Sequence, residues 1–239
     1  MLIPDSFDWI FFDCFNTLID DFDETGDESG LAPMYHVPVE VGLYESTEAF
    51  RQDYHRWRKA NLSGKAKERT LQERMRLIFQ TYRPDAEAAQ VEQCIQTMAA
   101  QFAIIYPQTL RLPPGVAAML DYWQGRVKMG VVSNFFLANW PEQFLTHYGL
   151  RQYFDFVLDS AACGWRKPGL EIYQVALAQT NVSDLSRVLF IGDHLRNDMM
   201  TPMRLGMQAV HFDRSNDRPN ASPSPANVLS IDHWEAFRL

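Results

Sequence analysis

Residues 11–20 read FFDCFNTLID, in which Asp13 directly follows an apolar run and Phe15 stands two positions later. The run over 9–12 is typical of a buried strand. In parallel α/β sheets, ligands bind beyond the carboxyl ends of the strands. Asp13 is therefore a candidate nucleophile. A single aspartate after a strand is a weak signal by itself, so the polar residues after the other strands have to be considered with it.

Short apolar runs recur along the chain and predict strands over 9–12, 127–132, 154–158, 188–191, 208–212 and 228–231. Segments of helical length between them predict helices over 116–123, 141–148, 170–180 and 197–205. Short strands that alternate with such helices indicate βαβ units and a parallel sheet. The expected fold class is α/β, with a Rossmann-like, doubly wound parallel sheet.

Residues 35–106 have a different pattern, with helical periodicity, charged faces and no strand-like run. This block predicts a helical domain over 21–109, inserted into a core domain formed by 1–20 and 110–239. Pro, Ser and Asn are frequent in 215–227, which predicts an exposed loop before the last strand.

The composition excludes several classes of protein. Thirty acidic against 22 basic residues give a net charge of −8, which argues against nucleic-acid binding. No apolar stretch approaches the roughly 18 residues that a membrane span needs, and the N-terminal MLIPDSFDW lacks the basic region of a secretory signal. The three cysteines have neither disulfide-like nor zinc-like spacing. A cytoplasmic protein without a membrane or nucleic-acid partner is expected.

Polar residues follow the predicted strands or precede a helix at four places. These are Asp13, Ser133-Asn134, Lys167-Pro168, and Gly192-Asp193 with Asn197-Asp198. Singly, each is typical of a helix cap, a turn or a helix boundary. Together they indicate a coherent chemistry, in which a carboxylate attacks an electrophile and water cleaves the covalent intermediate.

A divalent cation suits this set of side chains. Held by Asp13 and Asp193, with Asp198 supporting the coordination shell, it would neutralise charge that grows on a phosphoryl group. Mg²⁺ prefers oxygen ligands and often takes one or two carboxylates together with substrate oxygens. A serine hydroxyl and the ammonium of Lys167 are suited to the remaining phosphoryl oxygens.

In this order the four motifs resemble the haloacid dehalogenase superfamily of aspartate-nucleophile hydrolases, which includes phosphatases. The resemblance covers nearly the whole chain, and the helical block is similar to the small helical cap of the family's first subclass. It implies that Asp13 is both nucleophile and Mg²⁺ ligand, with the backbone carbonyl of Phe15 as a further ligand. It also implies that Asp193 ligates Mg²⁺ and that Asp198 supports the coordination shell.

The same resemblance implies the residues that bind the transferring group. Ser133 and Asn134 would bind its oxygens, and Lys167 would stabilise it as a catalytic residue. Thr17 would position the loop after the nucleophile and contribute to phosphate binding.

Phe15 departs from the pattern of the family's phosphatases, which usually carry a second aspartate at this position as general acid and then base. General acid–base catalysis contributes about 10²–10⁴-fold. The family's dehalogenases do have an aromatic residue here and displace halide without an acid. They are, however, metal-free and carry a Ser/Asn-rich fourth motif where this chain has Asp193. Their caps also supply a halide-binding arginine, for which the candidates are Arg51, Arg56 and Arg58.

The sequence thus predicts a Mg²⁺-dependent phosphatase that acts on a small phosphorylated compound through an aspartyl-phosphate at Asp13. One alternative is a 2-haloacid dehalogenase that forms an ester at Asp13. Another is a weakly active or inactive family member that binds a phosphorylated ligand or a protein partner. The acidic stretch 20–30, DDFDETGDESG, is interpreted as a solvated hinge, or else as an entrance that favours cationic substrates.

Overall fold

The computed structural model describes residues 6–21, 31–62, 65–216, 223–226 and 228–237. The chain divides into two units by its contacts. The first consists of Met1–Asp20, Ala66–Glu68 and Leu112–Leu239, and the second of Asp21–Lys65 and Arg69–Arg111. The three residues 66–68, which were expected within the helical insertion, thus group with the first unit. Most of the acidic stretch 20–30 lies outside the described residues.

The strands of the described residues alternate with helices over most of the first unit. In chain order the strands are β1 (Trp9–Phe12), β2 (Asp20–Asp21), β3 (Leu110–Arg111), β4 (Lys128–Ser133), β5 (Phe156–Asp159), β6 (Val188–Gly192), β7 (Gln208–Phe212) and β8 (Ser230–Ile231). The first four α-helices of the chain lie in the second unit, and they are α1 (Val37–Glu40), α2 (Thr47–Asn61), α3 (Leu71–Tyr82) and α4 (Ala88–Ile105). The α-helices of the first unit come later in the chain. They are α5 (Val116–Trp123), α6 (Trp140–His147), α7 (Ser160–Cys163), α8 (Leu170–Leu177) and α9 (Thr201–Arg204).

Six of the strands form one parallel sheet in the order β5-β4-β1-β6-β7-β8, and β2 pairs with β3 separately. β1 is central and all four of its residues are buried, as is typical of a strand covered on both faces. Phe12, the last residue of β1, is in register with Val131 of β4 and Ile191 of β6. The residues that follow these three strands therefore meet at one edge of the sheet.

Alternate side chains of β1 pack on opposite faces of the sheet. Trp9 and Phe11 belong to a buried cluster that includes Ile172 and Tyr173 of α8. Phe12 points to the other face, where its ring lies 6.1 Å from that of Trp234. Both faces are thus covered, and the prediction of a doubly wound α/β sheet is confirmed.

The second unit contains α1 to α4. α3 begins with a capping box, in which the amide of Glu73 donates to Thr70 Oγ1 (3.3 Å) and the amide of Thr70 donates to Glu73 Oε2 (2.8 Å). The ring of Phe50 on α2 stacks on that of Phe79 on α3, with 6.0 Å between centroids. No helix of the described residues is long and apolar enough to cross a membrane.

Several predicted elements have the observed bounds, including the strands 9–12 and 208–212 and the helix 116–123. The predicted helix 197–205 is wrong as a single α-helix. A π-helix covers Leu195–Met200, and α9 follows it with Pro202 in its first turn. Pro has no amide hydrogen to donate, so it is tolerated in a helix mainly near the start.

Gly130 permits the close approach of β4 and β5. A Cβ at this position would lie 2.4 Å from the ring of Phe156, its partner in register. We expect Gly130→Ala to lower the free energy of unfolding by about 1–3 kcal/mol through overpacking, as measured by urea unfolding. The double variant Gly130→Ala/Phe156→Leu should unfold at a higher urea concentration than Gly130→Ala. An unchanged midpoint in Gly130→Ala would contradict this packing.

Candidate active site

The nucleophile candidate, Asp13, lies directly after β1 at the carboxyl edge of the sheet. Its amide donates to the carbonyl of Ile191 at 2.8 Å and so extends the pairing with β6 by one residue. The chain then turns tightly, with Asn16 in the left-handed region at φ 64°, which Asn tolerates better than most residues. The turn brings Thr17 Oγ1 to 3.5 Å from Asp13 Oδ2. Asp13 itself is only 8% exposed.

The ammonium of Lys167 lies between two buried carboxylates. Its Nζ is 2.7 Å from Asp13 Oδ1 and 2.7 Å from Asp198 Oδ1. Burial opposes the charge on this lysine, but the two carboxylates outweigh it and raise the pKa of Lys167 above its usual range. Burial raises the pKa of Asp13 to about 6; Lys167 opposes this shift and Asp198 adds to it. The ammonium is therefore a permanent charge that holds both side chains in place.

Ser133 ends β4, and Asn134 directly follows it beside this group. Ser133 is fully buried, and its Oγ has no hydrogen-bond partner among the described residues. The side-chain amide of Asn134 pairs with the backbone of Lys167: its Nδ2 donates to the carbonyl at 2.9 Å, and its Oδ1 accepts from the amide at 2.8 Å. The sequence did not predict this second role of Asn134, which joins the loop after β4 to the loop of Lys167.

The side chains after β6 complete the group. Carboxylate oxygens of Asp13, Asp193 and Asp198 lie within 4.8 Å of one another. The amide of His194 donates to Asp198 Oδ2 at 3.0 Å. A Cβ on Gly192 would lie 2.4 Å from Asp198 Cγ, so a glycine is needed for this close approach. The structure therefore brings together the acidic residues of the first and fourth motifs.

This group fits a hard divalent cation. All three acidic side chains offer carboxylate oxygens, the ligands that Mg²⁺ prefers. If all are ionised, three carboxylates against the one ammonium that bridges two of them leave a net charge of −2. Like charges at this separation repel one another, and a cation relieves that repulsion.

His211 is a residue of this site that the sequence analysis missed. It is buried on β7, and its Nε2 lies 2.8 Å from the carbonyl oxygen of Asp193 while its Nδ1 lies 2.6 Å from Ser224 Oγ. The ring thus holds the backbone beside the third carboxylate. Its position near the carboxyl end of a predicted strand was the signal that could have identified it.

Phe15 belongs to an aromatic cluster. Its ring centroid lies 4.7 Å from that of Phe135 and 6.2 Å from that of Phe144. Phe136 and Trp140 stack on Phe135 at 4.9 Å and 5.9 Å. The position two residues after Asp13 is therefore filled by a buried apolar side chain. The expectation that the backbone carbonyl of Phe15 ligates a metal stays a prediction.

The residues over 7–202 match the family model described as haloacid dehalogenase-like hydrolase. The chain belongs to this family of hydrolases. It is 30% identical over 120 residues to pyrimidine 5′-nucleotidase YjjG of Escherichia coli, a match that covers 50% of the hydrolase and 53% of YjjG. It is also 31% identical over 106 residues to 5-amino-6-(5-phospho-D-ribitylamino)uracil phosphatase YigB of E. coli, covering 39% of the hydrolase and 44% of YigB. The hydrolase thus spans about half the length of the curated relatives it matches.

Solved structures resemble the hydrolase over nearly its full length. A 2-haloacid dehalogenase from Pseudomonas syringae pv. tomato superposes with a TM-score of 0.70 at 17% identity, covering 97% of the hydrolase and 96% of that chain. The HAD-hydrolase YfnB from Bacillus subtilis, bound to magnesium, superposes with a TM-score of 0.63 at 18% identity and the same coverage. At these identities the likeness shows the shared fold.

Removal of the bridging ammonium should destabilise the hydrolase. In Lys167→Met, Asp13 and Asp198 are buried without their cation, and we expect the free energy of unfolding at pH 8 to fall by about 3–5 kcal/mol in metal-free buffer. Asp13 has a raised pKa in the folded state, so protonation below about pH 6 favours folding. The loss should therefore be smaller near pH 5 than near pH 8.

The matched control for this variant removes the repulsion as well as the cation. Lys167→Met/Asp13→Asn should recover most of the lost stability, because one carboxylate then faces a neutral amide. Urea unfolding of both variants at the two pH values measures these differences. Equal losses in the single and double variants would contradict the electrostatic explanation.

Proposed function

We propose that the hydrolase is a Mg²⁺-dependent phosphatase that cleaves a small phosphorylated metabolite through an aspartyl-phosphate at Asp13. The observation that carries this proposal is the cluster of three carboxylates within 4.8 Å of one another, two of them bridged by Lys167. A carboxylate with a neighbouring ammonium can act as a nucleophile, and the remaining oxygen atoms are suited to a cation.

The metal ligands follow from how each carboxylate is already bonded. Asp198 accepts hydrogen bonds at both oxygens, from Lys167 and from the amide of His194. The second oxygen of Asp13 has only the longer contact with Thr17, at 3.5 Å, and is easier to share with a cation. This difference favours a supporting role for Asp198 and direct ligation by Asp13 and Asp193, together with the carbonyl of Phe15. The bound Mg²⁺ would supply positive charge to the phosphoryl oxygens as negative charge grows on them.

The side chains of the hydrolase would perform the steps around this group. An oxygen of Asp13 attacks phosphorus, the bond to the leaving oxygen breaks, and the leaving group takes up a proton. Water then attacks the phosphorus of the aspartyl-phosphate, which releases inorganic phosphate and restores the carboxylate of Asp13. Lys167 holds one carboxylate oxygen at 2.7 Å and so orients the other towards the substrate.

The transferring group would be bound by side chains at the end of β4, with Thr17 steadying the nucleophile. The buried hydroxyl of Ser133 can donate to a phosphoryl oxygen. Asn134 uses one amide hydrogen for the carbonyl of Lys167 and has a second to offer. Donors aimed at the phosphoryl oxygens stabilise the charge of the transition state.

Phe15 limits the leaving groups that this site cleaves fast. Its ring takes the position of an acid and packs against Phe135, so the side chain two residues after Asp13 supplies no proton. An alkoxide leaving group depends on protonation far more than a phenolate or the carboxylate of an acyl phosphate. We propose that the natural substrate either has a good leaving group or brings a protonating group of its own.

The second unit is proposed to be the helical cap of the family and to contribute to substrate choice. Its four helices lie within the region 21–109 that the sequence predicts as an insertion. The relatives whose printed names are nucleotidase or phosphatase support a small phosphomonoester as the substrate.

A 2-haloacid dehalogenase is the second candidate function, and the aromatic ring of Phe15 favours it. The acidic cluster with Asp193 argues against it. Of the candidate halide-binding arginines, Arg51 lies 3.6 Å from Glu48 and Arg56 lies 3.1 Å from Asp53, so each has an acidic neighbour on α2. Arg58 lies on the same helix. A role in binding without turnover remains the third candidate.

A panel of phosphomonoesters, assayed with Mg²⁺ and again with EDTA, tests the proposed function. We expect phosphate release that needs Mg²⁺ and that falls by about a thousandfold or more in Asp13→Asn. Asp8→Asn is the matched control, because Asp8 is a surface carboxylate of the same unit, paired with Arg187. Halide release from 2-haloacids in EDTA, without phosphate release, would support the dehalogenase instead.

The identity of residue 15 should set the preference for leaving groups. Phe15→Asp is expected to raise turnover of alkyl phosphates relative to aryl phosphates by up to about a hundredfold, because it restores a proton donor. It should also lower the free energy of unfolding by about 3–5 kcal/mol, since the lost ring packs on Phe135 and Phe144.

Phe15→Leu is the control for this substitution, because it removes the ring without adding an acid. It should leave the ratio of alkyl to aryl turnover near that of the wild type. An equal change for both substrate classes in Phe15→Asp would mean that protonation of the leaving group does not limit the reaction.

A further inference from the structure

We propose that Glu68 is a positioning residue that sets the geometry of the two loops which carry Ser133-Asn134 and Lys167. It acts within a short strap formed by residues 66–68. The strap belongs to the first unit, although the residues on either side of it, up to Lys65 and from Arg69, belong to the second. This inference rests on the proposed function insofar as these loops bind the transferring group.

The strap runs antiparallel to the loop 164–169. The amide of Glu68 donates to the carbonyl of Gly164 at 3.0 Å, and the amide of Arg166 donates to the carbonyl of Ala66 at 2.7 Å. Between these bonds, Lys67 and Trp165 form a β-bridge. The backbone on the N-terminal side of Lys167 is therefore paired with the strap.

On the other side of Lys167 the contact is equally close. A Cβ on Gly169 would lie 2.4 Å from the Cβ of Ala66. The loop thus touches the strap both before and after Lys167, and a displacement of the strap would move this lysine with it.

The carboxylate of Glu68 is buried, with the residue 4% exposed, and accepts a hydrogen bond from Ser160 Oγ at 2.6 Å. Ser160 Oγ in turn accepts from the amide of Phe135 at 2.9 Å and lies 3.1 Å from the carbonyl of the same residue. A hydroxyl has one proton to donate. The contact with Glu68 is the shorter one, so the Ser160 hydroxyl donates its proton to the Glu68 carboxylate. A lone pair of Ser160 Oγ then faces the Phe135 amide.

This arrangement joins the strap to the second phosphate-binding loop. Phe135 directly follows Ser133-Asn134, and Asn134 makes two hydrogen bonds to the backbone of Lys167. Hydrogen bonds and the backbone between neighbouring residues therefore form a closed circuit. It runs from Glu68 through Ser160 to Phe135 and Asn134, on to Lys167, and back through Arg166 to the strap. Networks of buried and fully bonded polar groups are rigid.

A buried carboxylate has a desolvation cost that an apolar side chain of similar size would not have. Arg166 offsets part of it, with its Nε 3.6 Å from Glu68 Oε2. Loss of the Glu68 carboxylate would loosen both loops together. Residues 66–68 therefore influence how firmly the two loops hold the phosphoryl group.

Hydrogen exchange of the intact protein tests the positioning directly. In Glu68→Ala, we expect the amides of Phe135 and Lys167 to exchange at least about tenfold faster. Without the hydrogen bond from Ser160 to Glu68, the opening of the loops costs less free energy. Glu68→Gln should keep exchange near that of the wild type, because its amide oxygen can still accept from Ser160. The control is Glu73→Ala. Glu73 lies at the start of α3 and takes no part in the hydrogen bonds of Glu68, so this variant should leave the exchange rates of both amides unchanged.

Kinetics with p-nitrophenyl phosphate provide the second readout. Glu68→Ala is expected to lower kcat/KM by about 10–100-fold and to weaken competitive inhibition by inorganic phosphate, because the misplaced loops hold phosphoryl oxygens less well. Glu68→Gln should restore most of both. Glu73→Ala should lower the melting temperature and leave both constants near their wild-type values.

If Glu68→Ala does not fold, Ser160→Ala takes its place, because it removes the hydroxyl that joins Glu68 to the Phe135 amide. It should speed exchange of the same two amides and lower kcat/KM. Unchanged exchange at Phe135 and Lys167 would overturn the inference. Faster exchange in a protein that neither cleaves phosphomonoesters nor binds inorganic phosphate would support the positioning role and overturn the proposed function.

Discussion

The bridge from the Lys167 ammonium to Asp13 and Asp198 is the interaction on which the site depends. The three residues come from loops that are far apart in sequence, and the parallel strands β1 and β6 deliver two of them to the same edge of the sheet. Two carboxylates buried this close would repel each other strongly without a cation between them. The position of one ammonium therefore constrains Asp13, the acidic cluster and the loop after β4 together.

The two sides of Asp13 have opposite character. One side holds Lys167 and the acidic residues, whose carboxylate oxygens suit a cation. The other is the aromatic cluster around Phe15, in which no group of the Phe15 side chain can transfer a proton. A fold that is shared with both a dehalogenase and a magnesium-bound hydrolase does not separate these chemistries. The proposal of a phosphatase rests instead on the charges around Asp193, because they favour a cation.

The predicted insertion over 21–109 is not all part of the second unit. Three of its residues, 66–68, pair with the loop of Lys167, and the carboxylate of Glu68 reaches the loop after β4 through Ser160. The core sequence alone would leave both loops with fewer partners.

The fold class and the candidate nucleophile could be predicted from the sequence, because apolar runs mark buried strands and polar residues directly after them mark the edge where ligands bind. The proximity of Asp13, Lys167 and Asp198 was predicted through the resemblance of their motifs to those of the haloacid dehalogenase family. Three features appear only in the folded chain: Asn134 bonds to the backbone of Lys167, Phe15 joins an aromatic cluster, and Glu68 groups with the first unit. These features depend on contacts between distant segments, and neither periodicity nor local spacing along a single chain carries information about such contacts.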